Sequence, residues 1–125
     1  MRTPSPTLTP QELAIMKIVW RAEKATVRDV YEALRERRPV AYTTVMTMMR
    51  ILEEKGYLRR TPGDRAYVYT PARPRQQVVG AMVREFVDRV FDGAPERLLL
   101  HLAKDRKLTP KQRRIVERLI EEGEE

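Results

Sequence analysis

The stretch from Val40 to Arg60 constrains this chain more than any other; it reads Val-Ala-Tyr-Thr-Thr-Val-Met-Thr-Met-Met-Arg-Ile-Leu-Glu-Glu-Lys-Gly-Tyr-Leu-Arg-Arg. On a helix, Val45, Met48, Met49 and Leu52 share one face, the i, i+3, i+4, i+7 spacing of a core-facing stripe. At roughly 100° per residue, the opposite face carries Thr43, Met46, Thr47 and Arg50. A face bound for open water usually alternates Glu and Lys, whereas this one is small, neutral or cationic, which suits a helix that enters a groove. The acidic pair Glu53-Glu54 comes only at the far end, and Gly56 supplies the stop. The stretch reads as a DNA recognition helix. Met48 and Met49 are assigned to the core; Met46 points outward, where it can meet a thymine methyl.

The totals agree with a polyanionic partner. Among 125 residues, 25 Lys and Arg stand against 18 Asp and Glu, a net charge of +7 with a pI near 10.0. The basic surplus is five in residues 1–72 and two in 73–125, so the first part is the expected nucleic-acid face. There is no cysteine, which removes disulfides, thiol redox chemistry and cysteine metal sites. The single histidine, His101, sits between leucines, a setting more usual for a structural side chain than for a ligand, and no metal or cofactor is expected. No apolar run approaches the ~20 residues that span a bilayer, and no signal-like segment opens the chain, so membrane insertion is not expected and a cytoplasmic location is.

Taken in order, residues 1–8 form a flexible lead-in. Thr9-Pro10-Gln11-Glu12 starts a helix with a cap, a first-position proline and a capping-box carboxylate. This helix should bury Leu13, Met16 and Trp20, with Ile15 and Val19 beside them. Thr26 caps a second helix, with Asp29 at its positive end and Val27, Val30, Tyr31 and Leu34 inside. Arg35, Arg37 and Arg38 crowd its last turn, where they complement the helix dipole or grip phosphate, and Pro39 ends it.

After the third helix come two short strands, Tyr57–Arg60 and Arg65–Thr70, joined by the turn Thr61-Pro62-Gly63-Asp64. Three helices followed by a hairpin is the winged helix-turn-helix order. Arg59, Arg60 and Arg65 flank the hairpin tip, in reach of a phosphate strand or minor groove. The expected fold class is mainly α: a winged helix-turn-helix over residues 1–72 and a helical region over 73–125.

In that second region Pro71 and Pro74 bracket a joint, and a helix follows from about Arg75. Val79, Met82, Val83, Phe86, Val87 and Val90 give it a broad apolar face. Asp92-Gly93 breaks it, Pro95 opens a shorter helix with Leu98, Leu99 and Leu102, and Thr109-Pro110-Lys111-Gln112 caps a last helix lined by Ile115, Val116, Leu119 and Ile120. So few residues cannot bury these faces by themselves. A second copy of the chain can, and it also supplies two recognition helices related by a two-fold axis, as palindromic DNA requires. The alternative is that the appendage folds back on its own winged helix.

The segments Leu-Thr-Pro-Gln-Glu-Leu-Ala-Ile-Met-Lys-Ile-Val-Trp from Leu8, Ala-Thr-Val-Arg-Asp-Val from Ala25, the stretch from Ala41 to Gly56, and Arg-Ala-Tyr-Val-Tyr from Arg65 together resemble the penicillinase-repressor family, from about Leu8 to Glu122. That family includes the methicillin-resistance and copper-transport repressors. The resemblance implies a dimeric bacterial repressor of a stress- or resistance-type operon, binding an inverted-repeat operator on double-stranded DNA. It places Thr43, Thr44, Met46, Thr47 and Arg50 where the family's recognition helix meets DNA, and it makes the C-terminal helices a dimerisation region. It also implies a regulatory protease as a further partner, acting at an Asn-Phe bond in those helices. The aligned pair here is His101-Leu102, which does not match in residue type. Copper-responsive members carry a C-terminal cysteine pattern that this chain lacks.

A second class of function is a winged-helix module that binds protein rather than DNA. An apolar or acidic outer face on the third helix would favour it; the face here is neutral to basic. An enzyme is not expected, because the chain offers no cysteine, one histidine and no glycine-rich phosphate loop.

Overall fold

The computed structural model describes residues 8–123, so the lead-in up to residue 7 lies outside the described residues. Leu8 is already buried, so ordered packing starts one residue before the first cap. Six helices and one hairpin follow: α1 Pro10–Ala22, α2 Val27–Arg35, α3 Tyr42–Glu54, β1 Leu58–Pro62, β2 Tyr67–Pro71, α4 Arg75–Val90, α5 Pro95–Ala103 and α6 Pro110–Gly123. The described residues fall into two compact units, divided between Val79 and Gly80.

The three expected capping boxes form. Thr9 Oγ1 accepts from the Glu12 N–H while Glu12 Oε1 accepts from the Thr9 N–H. Thr26 with Asp29 and Thr109 with Gln112 repeat the reciprocal pair. Each satisfies two amide donors that a helix start leaves without partners.

In the first unit α1, α2 and α3 meet around Ile15, Met16, Val19, Val30, Val45, Met49 and Leu52, all fully buried. This corrects the expected stripe of α1. Ile15 and Val19 lie at its centre, while Leu13 and Trp20 are half-buried at its margins. Trp20 belongs at an edge because its indole N–H needs a partner, and it donates to the Arg73 carbonyl at 3.0 Å. A second correction concerns α3: Met48 is half-buried like Met46, so the two methionines flank the buried stripe of Val45, Met49 and Leu52. Helix α2 ends at Arg35, well short of Pro39, because the Arg37 and Arg38 amides both turn back to the Leu34 carbonyl.

The hairpin pairs antiparallel in the register Leu58↔Pro71, Arg59↔Thr70, Arg60↔Tyr69, Thr61↔Val68 and Pro62↔Tyr67. Leu58 and Tyr69 anchor its base in the core. The loop between α1 and α2 adds a further rung, with Ala25 and Tyr69 exchanging both backbone hydrogen bonds at 2.9 and 2.8 Å. The base of the hairpin is set in the core, and its exposed tip projects as a wing. A Cβ on Gly63 would stand 2.5 Å from the Ala66 carbonyl oxygen, so this close turn needs glycine.

In the second unit, Asp92 and Gly93 carry positive φ and end α4. The Arg113 guanidinium donates to the carbonyls of Ala103 and Asp105, fastening the start of α6 to the preceding loop. Little of the apolar surface of these helices is covered. Val83, Phe86, Val90, Leu100, Ile115 and Leu119 are each 41–52% exposed. Val79, Met82, Leu98, Leu99 and Leu102 are half-buried. Val87, expected on the open face, is instead buried at 4%, and Leu100, not anticipated there, lies open. The His101-Leu102 bond lies inside α5, so a protease would have to unwind that helix to reach it.

Candidate nucleic-acid interface

Helix α3 is held at one end and open along its outer side. Its last turn closes as a Schellman motif: Tyr57 N–H reaches the Leu52 carbonyl at 2.9 Å, and Gly56 N–H reaches that of Glu53 at 3.0 Å. Gly56 has φ of +88°, the left-handed conformation this closure needs. Tyr57 and Leu52, the apolar pair that accompanies such a closure, are both in the core.

Lys55 sits at the C-cap and ties the end of α3 to the start of α1. Its ammonium donates to both carboxylate oxygens of Glu12 at 3.0 Å. Glu12 is only 5% exposed, yet it is fully partnered, since the same carboxylate also closes the Thr9 capping box. Burial alone pushes its pKa up; the Thr9 N–H, the Lys55 ammonium and the Thr9 hydroxyl together outweigh that and hold it below the ordinary 4.5. One buried ion pair thus fixes where α3 ends relative to the rest of the three-helix core.

The outer side of α3 presents Thr43, Thr44, Thr47 and Arg50, all exposed, with Met46 half-buried beside them. Ile51, which the apolar stripe of the sequence does not include, shares this exposed side at 37%. Its place between two outward threonine positions on the wheel was the signal available. The Tyr42 ring packs edge-on against Tyr31 at 5.5 Å, with the Arg28 guanidinium over it at 5.8 Å. Arg35 lies over Tyr31 at 5.4 Å, and both arginines pair with Glu32 at 3.5 Å. The seam between α2 and α3 is therefore lined by arginines laid on aromatic rings.

The wing arginines differ from one another. Arg59 and Arg65 are exposed, and neither side chain has an ion pair or hydrogen bond among the described residues; Arg50 on α3 is in the same condition. Arg60 is committed: its Nε lies 3.4 Å from a Glu53 carboxylate oxygen, and its guanidinium stacks on Tyr67 at 4.3 Å. It braces the wing against the end of α3, and it also neutralises Glu53, one of the two carboxylates at that end. One unit thus carries three guanidinium groups with no ion pair or hydrogen bond among the described residues, together with an open helix face of hydroxyls and apolar tips. This is a surface able to meet phosphates and base edges together.

Among the described residues no group of three His, Cys, Asp or Glu side chains gathers as a metal site, and no helix is long and apolar enough to cross a membrane. A family model described as penicillinase repressor matches residues 8–122. The chain belongs to the penicillinase-repressor family. It is 40% identical over 92 residues to a transcriptional regulator BlaI of Mycobacterium tuberculosis, covering 72% of this chain and 67% of that protein. It is 23% identical over 117 residues to the penicillinase repressor of Bacillus licheniformis, covering 94% and 91%. The solution structure of monomeric Bacillus licheniformis BlaI in complex with the blaP half-operator matches with a TM-score of 0.50 at 27% identity, covering 60% of this chain and 89% of that one. The fold is a winged helix, as the sequence order of helices and strands predicts.

Proposed function

We propose that this chain is a homodimeric transcriptional repressor that acts in the bacterial cytoplasm on an inverted-repeat operator. Residues 1–72 form the DNA-binding part and 73–125 the dimerisation part. Helix α3 enters the major groove, with Thr43, Thr44, Met46, Thr47 and Arg50 at base edges and Ile51 against a thymine methyl. Arg59 and Arg65 reach phosphates or the adjacent minor groove, and Arg60 acts by bracing the wing. The observation that carries this reading is that Arg50, Arg59 and Arg65 are exposed, with no side-chain partner among the described residues, on the unit that also carries the open face of α3. The half-operator complex of the Bacillus licheniformis relative supports it.

Dimerisation rests on helices α4, α5 and α6. A half-exposed Val, Leu, Ile or Phe gains roughly 1 kcal/mol on full burial, so Val83, Phe86, Val90, Leu100, Ile115 and Leu119 in two copies contribute about 12 kcal/mol. That is comparable with the ~4–15 kcal/mol that association costs in lost freedom, so the half-buried Val79, Met82, Leu98, Leu99 and Leu102 must add to it. The test is an anisotropy titration of an inverted-repeat duplex selected from a random pool. Arg50→Ala should weaken binding to that duplex by about 1–3 kcal/mol. Unchanged affinity removes Arg50 from the reading set, and binding that ignores salt favours a protein-interaction module instead.

A further inference from the structure

We propose that Arg28 and Arg35 form a site for one phosphate of the DNA backbone, and that Glu32 fills this site in the free protein as an internal competitor. The inference rests on the DNA-binding reading above and deepens it.

Arg28, Glu32 and Arg35 follow one another at spacings of four and three along α2, so they share one face of that helix. Both guanidinium groups lean on the same atom: Nη1 of each lies 3.5 Å from Glu32 Oε1. At that length each is an ion pair, outside the roughly 2.7–2.9 Å of a charge-assisted hydrogen bond. The arginines have a second support besides Glu32. Arg28 lies over the Tyr42 ring and Arg35 over the Tyr31 ring, and the two rings meet edge-on. An aromatic seam thus holds two cations with one carboxylate oxygen between them. A phosphodiester brings two non-bridging oxygens, one for each guanidinium. The side chains are open to it, with exposures of 71% for Arg28, 49% for Glu32 and 53% for Arg35.

Helix stability does not account for this arrangement. Arg28 is the second residue of α2, in the first turn, where the helix dipole disfavours a cation. It also precedes Glu32, the weaker order for a pair four residues apart. Tyr42, the ring against Arg28, is the first residue of α3 and directly precedes Thr43. In a helix-turn-helix the first helix crosses the DNA backbone while the start of the second reads base edges. The seam between α2 and α3 is therefore where a backbone phosphate is met. The arginines must release Glu32 before they bind it, so Glu32 holds down affinity for any duplex.

The test is Glu32→Gln, titrated by anisotropy against the selected duplex and a random-sequence duplex at several salt concentrations. Affinity for both should rise by the same factor, roughly three- to tenfold, and the salt slope should steepen by up to about one. Glu36→Gln is the control. Glu36 is exposed at the end of α2, and its side chain has no ion pair or hydrogen bond among the described residues. That variant should change affinity by less than about twofold. In an Arg28→Gln/Arg35→Gln background, adding Glu32→Gln should also gain less than about twofold, because nothing remains to be released. Circular dichroism with a melting curve confirms that each variant folds. A gain that survives loss of both arginines, or that Glu36→Gln matches, would mean that Glu32 acts only as a distant charge and overturns the inference. No gain, or a gain confined to the selected duplex, overturns it too and leaves the repressor reading standing. A wild type that binds no duplex overturns that reading and this inference together.

Discussion

Replacing Glu12 by Gln isolates the contact that fixes the end of α3. The glutamine carbonyl can still accept from the Thr9 N–H, so the capping box keeps its backbone partner, while the charge that meets Lys55 disappears. Two opposing limits set the magnitude. Removing one partner of a fully buried ion pair costs about 3–5 kcal/mol, because the other charge is stranded. The Lys55 side chain is 23% exposed, so water recovers part of its solvation. A charge-assisted hydrogen bond contributes roughly 1.5–3 kcal/mol, and the expected loss is about 2 kcal/mol in a urea titration at neutral pH. The direction of the Glu12 pKa adds a second signature. A carboxylate whose folded pKa lies below its unfolded value stabilises the fold fully above about pH 4.5, and that stabilisation fades as pH falls through the folded value. The wild type should therefore lose stability below pH 4.5 more steeply than Glu12→Gln, and the two should converge in acid. Lys55→Met should lose a similar amount, and the double variant less than the sum of the singles. A single-variant loss under 0.5 kcal/mol, or additive losses in the double variant, would refute the claim that this pair holds the end of α3.

Other expectations follow from the open surfaces. Arg59→Ala and Arg65→Ala should each flatten the slope of log affinity against log salt by about one, read by anisotropy at several salt concentrations. Arg60→Ala should act differently, since its guanidinium is shared by Glu53 and Tyr67. It frees a carboxylate at the end of α3, so affinity should fall even where the salt slope changes little. Phe86→Asp puts a charge on a side chain that is 41% exposed in the single chain, so it should leave the fold intact and give monomers in sedimentation. An intact dimer in that variant would remove Phe86 from the interface.

Much of the fold was legible because local rules and tertiary packing agree. The three capping boxes need only four residues each. The apolar rhythm of α3 is equally local, but the hairpin turn is not where the sequence suggests: Thr61 and Pro62 extend β1 opposite Val68 and Tyr67, and the chain reverses over residues 63–66 instead of 61–64. What could not be read depends on partners distant in sequence. Nothing around Trp20 indicates that its indole will find Arg73, and nothing around Ala25 indicates a bridge to Tyr69. Periodicity gave α1 its buried side but not the roll of the helix, so Ile15 and Val19 displaced Leu13 and Trp20 from the centre. The same imprecision of a few tens of degrees put Met48 inside and left Ile51 without a role. Of the candidate site, the open threonine and arginine face was visible in sequence, but the difference among the wing arginines was not. Arg60 looks like its neighbours until the hairpin register brings it to Glu53.

Sedimentation of the full chain mixed with its selected inverted-repeat duplex tests the central claim most directly. The account predicts two chains on each duplex, already paired before DNA is added at micromolar concentration. A chain that sediments singly and loads one copy at a time onto either half-site, or that binds no duplex at low salt, would contradict it.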